Sequence, residues 1–402
     1  MATDLSTVAG ALKRVYGEYQ KQQNLKHKAI DAIAKSLTKY SPGGEGYFGA
    51  VNAYGNESIG AITENESFRT IDNEQYLQFK VSPKVLVAPI EFSGLSAKAA
   101  DADDEAFVSI VIDALDMGKE RLLKDENRQF FGLGNGLLAV PAGNVASNVT
   151  SFSVDSAQYL RANMVIDVFN GVTKTIDSKR ILDVDKSAGI VYFSTSIGAA
   201  LITTDTLVKE NVRDSAPTDG KEMMGLRGII DDATDLTTFE NIDSLNNRIW
   251  RGTRIAASSG NLTSDLLQRL IDSVEIVGGE SVDMLIMHQK QRRKYLDLVV
   301  PQKRYQDGKL DTGFDTVSFN GKEIFIDEDC QADTVYAIAK KHLQKYELEA
   351  LDMGKQGGSD TFLRKVNSDV FQAYWRHYCN FGTGKRNALG KIVGLAVPTG
   401  AA

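Results

Sequence analysis

Two cysteines, Cys330 and Cys379, and four histidines, His27, His288, His342 and His377, are the whole supply of thiol and imidazole ligands in 402 residues. The cysteines give neither a disulfide framework nor zinc-ligand spacing, and such sparse usage suits a reducing cytoplasm. The histidines lie far apart, without HxH, HExxH or a Cys-His pair at ligand spacing, so they read as scattered surface or core residues. A basic excess is also missing. With 46 Lys and Arg against 53 Asp and Glu, the net charge is −7, which argues against a surface that coats nucleic acid. Apolar runs such as LLAV and DMLIM are far too short to span a bilayer. The opening MATDLSTVAGALKRVYGEYQ lacks the apolar core and cleavage site of a signal peptide.

Enzyme signatures fail one by one. In FFGLGNGLLAV, residues 130–140, three alternating glycines suggest a phosphate cradle, which must follow a strand and open a helix. Here they follow a helix, with Gly132 placed as its C′ residue, so a structural turn is expected. FGTGKRN at 381–387 leaves one residue between glycines where a Walker loop needs four, and Arg386 stands where Ser or Thr would bind magnesium. DVDKSAG at 183–189 imitates a calcium loop but has Ala188 at the glycine position, and it reads as a β-turn. G-x-S-x-G is absent. Asp327, Glu328 and Asp329 form an acidic cluster that reads as a solvated loop. No catalytic, cofactor-binding or metal residue is expected.

What is present is an ordinary globular composition, 42% hydrophobic and 25% charged, in a chain long enough for two or three domains. Residues 11–39 carry apolar groups at roughly helical spacing beside Lys13, Arg14 and Lys21. The pattern fits a helix packed on its own domain or an arm reaching a neighbour, and SPGGEG ends it. Residues 47–79 contain no lysine or proline, and Tyr54, Ile59, Ile62, Phe68 and Ile71 are scattered rather than periodic; such a segment needs another surface. Tyr76 to Phe92 alternates as two strands broken at Ser82-Pro83. From 101 to 128, acidic residues crowd the start and Lys119, Arg121, Lys124 and Arg128 the end of a long helix. Residues 149–208 are all-β, with a hairpin expected at Asn170-Gly171. APTDG at 216–220 is a candidate linker. A capped helix over 264–277, the strand VDMLIM, the helix QKQRRKYLDLV, a hairpin about Asn320-Gly321 and the strand DTVYAIA then alternate. The basic stretch 289–309 holds Arg292, Arg293, Lys303 and Arg304, and reads as a subunit contact before a nucleic-acid contact.

The order of these parts resembles the major capsid proteins of tailed bacteriophages, whose Hong Kong-phage capsid fold is shared with encapsulins. GNESIGAITENESF leading to YLQFKVSPKVLVAPIEFS resembles the family's extended loop, and DENRQFFGLGNGLLA the end of its spine helix. MMGLRGIIDD, NIDSLNNRIWRG and KLDTGFDTVSFNGKEIFIDEDC resemble later segments, and the likeness runs over essentially the whole chain. It implies an α+β fold: N-terminal arm 1–43, extended loop 44–92, peripheral domain with spine helix 93–136, inserted β-domain 137–220, α/β axial domain 221–375, and a return to the peripheral domain over 376–402.

The implied function is a non-enzymatic capsid subunit. It self-assembles into pentamers and hexamers of an icosahedral head around double-stranded DNA, contacted non-specifically, in virions built in the host bacterial cytoplasm. Expected partners are itself, a separate scaffolding protein, a portal and optional cement proteins, with no membrane and no cofactor. Expected subunit contacts are Tyr54, Phe68, Arg69, Ile71 and Tyr76 on the loop; Lys13, Arg14 and Lys21 on the arm; and Arg292, Arg293, Lys303 and Arg304. Neither a large N-terminal cleavage nor a covalent cross-link through a loop lysine is expected. The rival readings are an encapsulin-like compartment and a multidomain enzyme.

Overall fold

The computed structural model describes residues 35–37, 46–67, 69–70, 73–94, 104–213, 220–303, 317–354, 363–365 and 367–397. Three sheets and one long helix organise them. The helix, Asp104–Phe130, runs 27 residues and about 40 Å at about 1.5 Å per residue. It lies on a sheet built round the long strand Val370–Thr383, which pairs with Lys84–Ser93, Leu343–Met353 and Leu363–Arg364. Period-2 alternation sorts the faces of that sheet. Leu86 is buried, whereas Val85 and Val87 remain exposed. Gly118 lets the helix approach closely, because a Cβ there would stand 2.8 Å from Ile90 Cδ1. Beside it, the Trp375 indole N–H donates to the Leu115 carbonyl at 2.8 Å.

Lys35–Leu37 is a strand parallel to Leu343–Met353, which corrects the helix expected through residue 39. The rest of that expected helix lies outside the described residues. The alternation at 76–92 does resolve into two strands, Gln75–Val81 and Lys84–Ser93, but they do not pair with each other. Gln75–Val81 pairs with Tyr47–Tyr54, a strand the scattered apolar pattern did not announce.

The second sheet has six antiparallel strands in the order Leu137–Ala139, Thr206–Lys209, Val165–Asn170, Thr173–Asp185, Ile190–Phe193 and Ser151–Ser153. It has its own core, including Leu160, Ile166, Ile181 and Leu207. The first and last of these strands along the chain, Leu137–Ala139 and Thr206–Lys209, are neighbours, with Ala139 opposite Leu207, so the chain enters and leaves this unit side by side. The expected hairpin is shifted by one residue. Asn170 pairs with Thr173, and Gly171-Val172 is the loop, with positive φ only at Gly171.

The third sheet is mixed, in the order Thr253–Ala256, Gly390–Val393, Val335–Ile338, Met284–Met287, Lys322–Ile326 and Val317–Phe319. Helix Ser264–Gly278 covers it, as its signals predicted. Thr263 Oγ1 accepts the Leu266 N–H at 3.1 Å, and Gly279 ends the helix at φ 62°. Gly390 gives that helix room, since a Cβ there would lie 2.5 Å from Val274 Cγ2. The Asn320-Gly321 hairpin forms as expected, with both residues at positive φ. The expected boundary at 375/376 falls inside the strand Val370–Thr383, and Gly390–Val393 joins the third sheet instead of returning to the first.

After the long helix, Gly132 donates its N–H to the Gln129 carbonyl at 2.9 Å without entering the left-handed region. Gly134 and Gly136 are the turn residues at positive φ, at 77° and 73°. A turn is found here, two residues later than the C′ position expected for Gly132.

Candidate functional site: an apolar tongue and a buried ionic junction

Tyr47–Tyr54 and Gln75–Val81 form a two-stranded tongue whose base and tip differ in character. At the base, Tyr47 packs on Tyr346 with ring centroids 4.8 Å apart, and Phe79 stacks on Trp250 at 5.9 Å. The Lys80 N–H donates to the Glu240 carbonyl at 2.9 Å, which joins the tongue to the Thr238–Phe239 and Ile242–Asp243 hairpin. Toward the tip the apolar groups lose their cover: Tyr54 is 51% exposed, Tyr76 62% and Ile59 85%. Covering a side chain such as Ile59 would be worth about 2 kcal/mol. The tip is nevertheless a defined turn, in which Thr63 Oγ1 donates to Glu66 Oε2 at 3.1 Å and the Glu66 N–H donates to the Thr63 carbonyl at 3.1 Å.

Of the residues expected to contact a neighbour, Tyr54, Arg69 and Tyr76 are exposed on this tongue. Phe68, Ile71, Lys13, Arg14, Lys21 and Arg304 lie outside the described residues. Arg292 is half-buried and Arg293 exposed on the helix Gln289–Lys303, whose last residue, Lys303, is described in its backbone alone. The three groups are therefore not brought together by anything described. Tyr295, on the same helix, is a core residue with its hydroxyl donated to the Ser318 carbonyl at 2.7 Å.

The end of the long helix is a second feature. Lys124, Glu126, Asn127, Arg128 and Gln129 are only 1–4% exposed although all are polar. Together they meet three stretches of chain: Lys124 and Asn127 the 327–329 run, Arg128 and Gln129 residues 222–223, and Glu126 the strands carrying Lys345 and His377. Lys124 bridges to Glu328 and, at 2.9 Å, to Asp329. Asn127 Nδ2 donates to Asp329 Oδ2 at 2.7 Å and to Asp327 Oδ1 at 3.1 Å. Arg128 forms a two-pronged pair with Glu222 and donates to Asp125 Oδ1 at 3.0 Å. Asp125 also accepts from Lys209 of the second sheet at 3.0 Å. Gln129 Oε1 accepts the Met223 N–H at 3.0 Å. Burial opposes charge on Asp125, but Arg128 and Lys209 outweigh it and hold the carboxyl below its ordinary range. Asp327 goes the other way, raised by burial and by the charge of Asp329. The 327–329 run is thus no solvated loop: Asp327 and Asp329 are buried against the helix.

His377 is a core histidine, within the surface-or-core reading, but its partners come from distant segments. On the strand Val370–Thr383, period-2 geometry turns His377 and Cys379 to one face, against Glu126 of the helix. His377 Nδ1 is 3.1 Å from Glu126 Oε2 and 3.4 Å from Cys379 Sγ, while Nε2 is 3.1 Å from Glu347 Oε1. Lys345 closes the group at 2.7 Å from Glu126 and 2.9 Å from Glu347. Burial by itself would lower the imidazole pKa, but contacts with Cys379, Glu126 and Glu347 push it up to about 11. Four charges, two of each sign, then cancel. The signal available in the sequence was H-x-C in a strand, which spacing rules for helices and loops do not search.

Arg386 of the Walker-like run serves the core. Its guanidinium donates to the carbonyls of Ile229, Trp250 and Gly228 and to Ser244 Oγ at 2.6–3.1 Å, and it lies 4.5 Å from the Phe239 ring centroid. The remaining imitation behaves as expected: Asp185 Oδ1 accepts the Ser187 and Ala188 N–H groups at 2.9 and 3.0 Å in a tight turn.

No family model matches the sequence, and no curated protein matches it. Solved structures do. The capsid asymmetric unit of cyanophage A-1(L) is 10% identical, with TM-score 0.58, 98% of this chain and 99% of that one covered. The capsid of Myoviridae phage XM1 is 9% identical, with TM-score 0.50 over 96% and 98% of the two chains. At such identities the likeness establishes the fold: this chain has the α+β fold of phage capsid subunits over nearly its whole length.

Proposed function

We propose that this protein is the major capsid subunit of a tailed phage, assembling into pentamers and hexamers of a closed icosahedral shell that encloses double-stranded DNA. The observation that carries the reading is a whole-chain match to a phage capsid subunit combined with a tongue anchored at its base and apolar at its tip. A tip bearing Tyr54, Ile59 and Tyr76 in water is a surface awaiting a partner, and repeated heterologous contacts that close into rings are what shells require. The net charge of −7 fits an enclosure that repels rather than binds its DNA. A separate scaffold, a portal, optional cement proteins and assembly in the host cytoplasm belong to the same reading. So does a division into arm, tongue, helix-bearing sheet, inserted sheet and mixed sheet. The buried titratable clusters support a structural role, since substrate has no access to them.

Light scattering and negative-stain microscopy of the purified chain, alone and with any co-encoded scaffold, test the proposal. Shells, rings or capsomers of five or six are expected, and a strictly monomeric globule in both conditions would remove the reading. Cargo protein in place of DNA inside isolated shells would move it to a storage compartment. Tyr54→Asp and Tyr76→Asp should abolish or strongly reduce shells while the subunit keeps its circular dichroism and melting temperature. Normal shells from both variants would refute the tongue contact.

A further inference from the structure

The ionic group at the helix end has a donor set that charge pairing does not require. Glu126 Oε2, His377 Nδ1 and Cys379 Sγ lie within 4.8 Å of one another, all on buried residues. A fourth donor adjoins them, the Met223 thioether, 3.2 Å from Cys379 Sγ. In a tetrahedral zinc site, Zn–N of about 2.0 Å and Zn–S of about 2.3 Å set an N···S edge of about 3.5 Å and an N···O edge of about 3.3 Å. The observed edges are 3.4 Å between His377 and Cys379 and 3.1 Å between His377 and Glu126. The sulfur–sulfur edge, about 3.8 Å in such a site, would need Met223 to retreat by about half an ångström. An outer partner is also in place: the far nitrogen of His377 faces Glu347, the carboxylate that typically orients a metal-bound imidazole.

We propose that Glu126, His377 and Cys379, with Met223 as a weak fourth donor, form a structural site for a divalent ion of zinc's class. Binding forms metal–oxygen, metal–nitrogen and metal–sulfur bonds and releases the Nδ1 proton and the thiol proton, with no change of oxidation state. The charge count stays closed. Without metal, Glu126, Glu347, His377 and Lys345 sum to zero; with it, two positive charges on the ion and one on Lys345 balance Glu126, Glu347 and the Cys379 thiolate. The donor set of one imidazole, one thiolate, one carboxylate and one thioether favours zinc, cadmium or cobalt over magnesium or calcium. The ion would tie the helix end to the strand Val370–Thr383 and to the segment following the second sheet.

The full chain, expressed in medium supplemented first with zinc and then with cobalt, decides the matter. About one zinc per chain should survive gel filtration in EDTA, because a buried ion leaves only when the fold opens. The cobalt form should show a thiolate-to-metal absorption band in the near ultraviolet together with tetrahedral visible bands. Cys379→Ser should lose that band and retain at least about tenfold less metal, whereas Cys330→Ser, which removes the other buried thiol, should leave both unchanged. Wild-type protein holding less than about a tenth of an equivalent of either metal overturns the proposal without recourse to any variant. A bound cobalt lacking the thiolate band overturns it as well.

Discussion

Glu240 shows how a single side chain can be held where its charge is unwelcome. It sits at φ 50° in the tight turn of a short hairpin, with its carbonyl accepting from Lys80 and its Oε1 accepting the Thr383 N–H at 3.1 Å. A Cβ on Gly382 would stand 2.3 Å from that oxygen, so the neighbouring strand needs glycine there. Burial raises the Glu240 pKa well above its usual value, against smaller opposing contributions from the Thr383 N–H and Arg386. A carboxyl with a folded-state pKa above its unfolded one loses stability as pH rises from the unfolded value through the folded one. Glu240→Gln keeps the acceptor and removes the charge. It should melt higher than wild type at pH 8 by a few degrees, the size of an effect of about 1 kcal/mol, with the gap closing near pH 4. An equal gap at both pH values would mean that the carboxyl is not strained by ionisation. None of this was legible in the sequence, where Glu240 is one acid among 53 Asp and Glu. Asp327 was misread, and the partners of His377 went unseen, for the same physical reason: the groups that pair them, Asn127 and Glu126, lie 200 and 251 positions away.

At the scale of elements, local signals were reliable where local physics decides. Thr263 and Gly279 bound a helix because each satisfies backbone groups at its own end. Asn320-Gly321 makes a hairpin because both residues accept positive φ. Lys35–Leu37 lies in a helical pattern, yet it becomes a strand because Leu343–Met353 offers it an edge. Tyr47–Tyr54 was hidden because one face of a two-stranded tongue need not be apolar. The run Asp-Glu-Asn-Arg-Gln before Phe130 was the best clue passed over. Polar residues on every side of a helix end, with Leu122 before and two phenylalanines after, mark a terminus enclosed by other elements. Arg128→Ala would leave Glu222 buried without its partner, and a loss of roughly 3–5 kcal/mol is expected on that account. Arg128→Lys, which keeps the charge but not the fork, should recover only part of it. Chemical denaturation of the three proteins would measure both, and a loss under about 1 kcal/mol for the alanine variant would show the pair to be dispensable.

For the molecule as a whole, the α+β class was legible in the sequence, whereas the pairing of distant strands, such as Gly390–Val393 with Thr253–Ala256, was not. The loop's lack of lysine bears on assembly. Lys80 lies 5.3 Å from the Phe48 ring centroid, and the Lys84 ammonium donates to the Gly220 carbonyl at 2.7 Å, so the lysines at the tongue's base are already engaged. If the chain assembles as proposed, its shells boiled in SDS should therefore release a single band at the 43.9 kDa of the monomer, and a ladder of multiples would show covalent linkage between chains. The six-stranded unit has one further consequence. Because Ala139 and Leu207 face each other on the strands by which the chain enters and leaves it, the cut ends of the chain would lie about 5 Å apart if everything between them were removed. That spacing is a socket: a short turn, or a foreign domain whose own termini adjoin, could be spliced in its place. Retaining Lys209 would keep Asp125 paired, and each chain would then carry one copy of whatever domain the graft encodes.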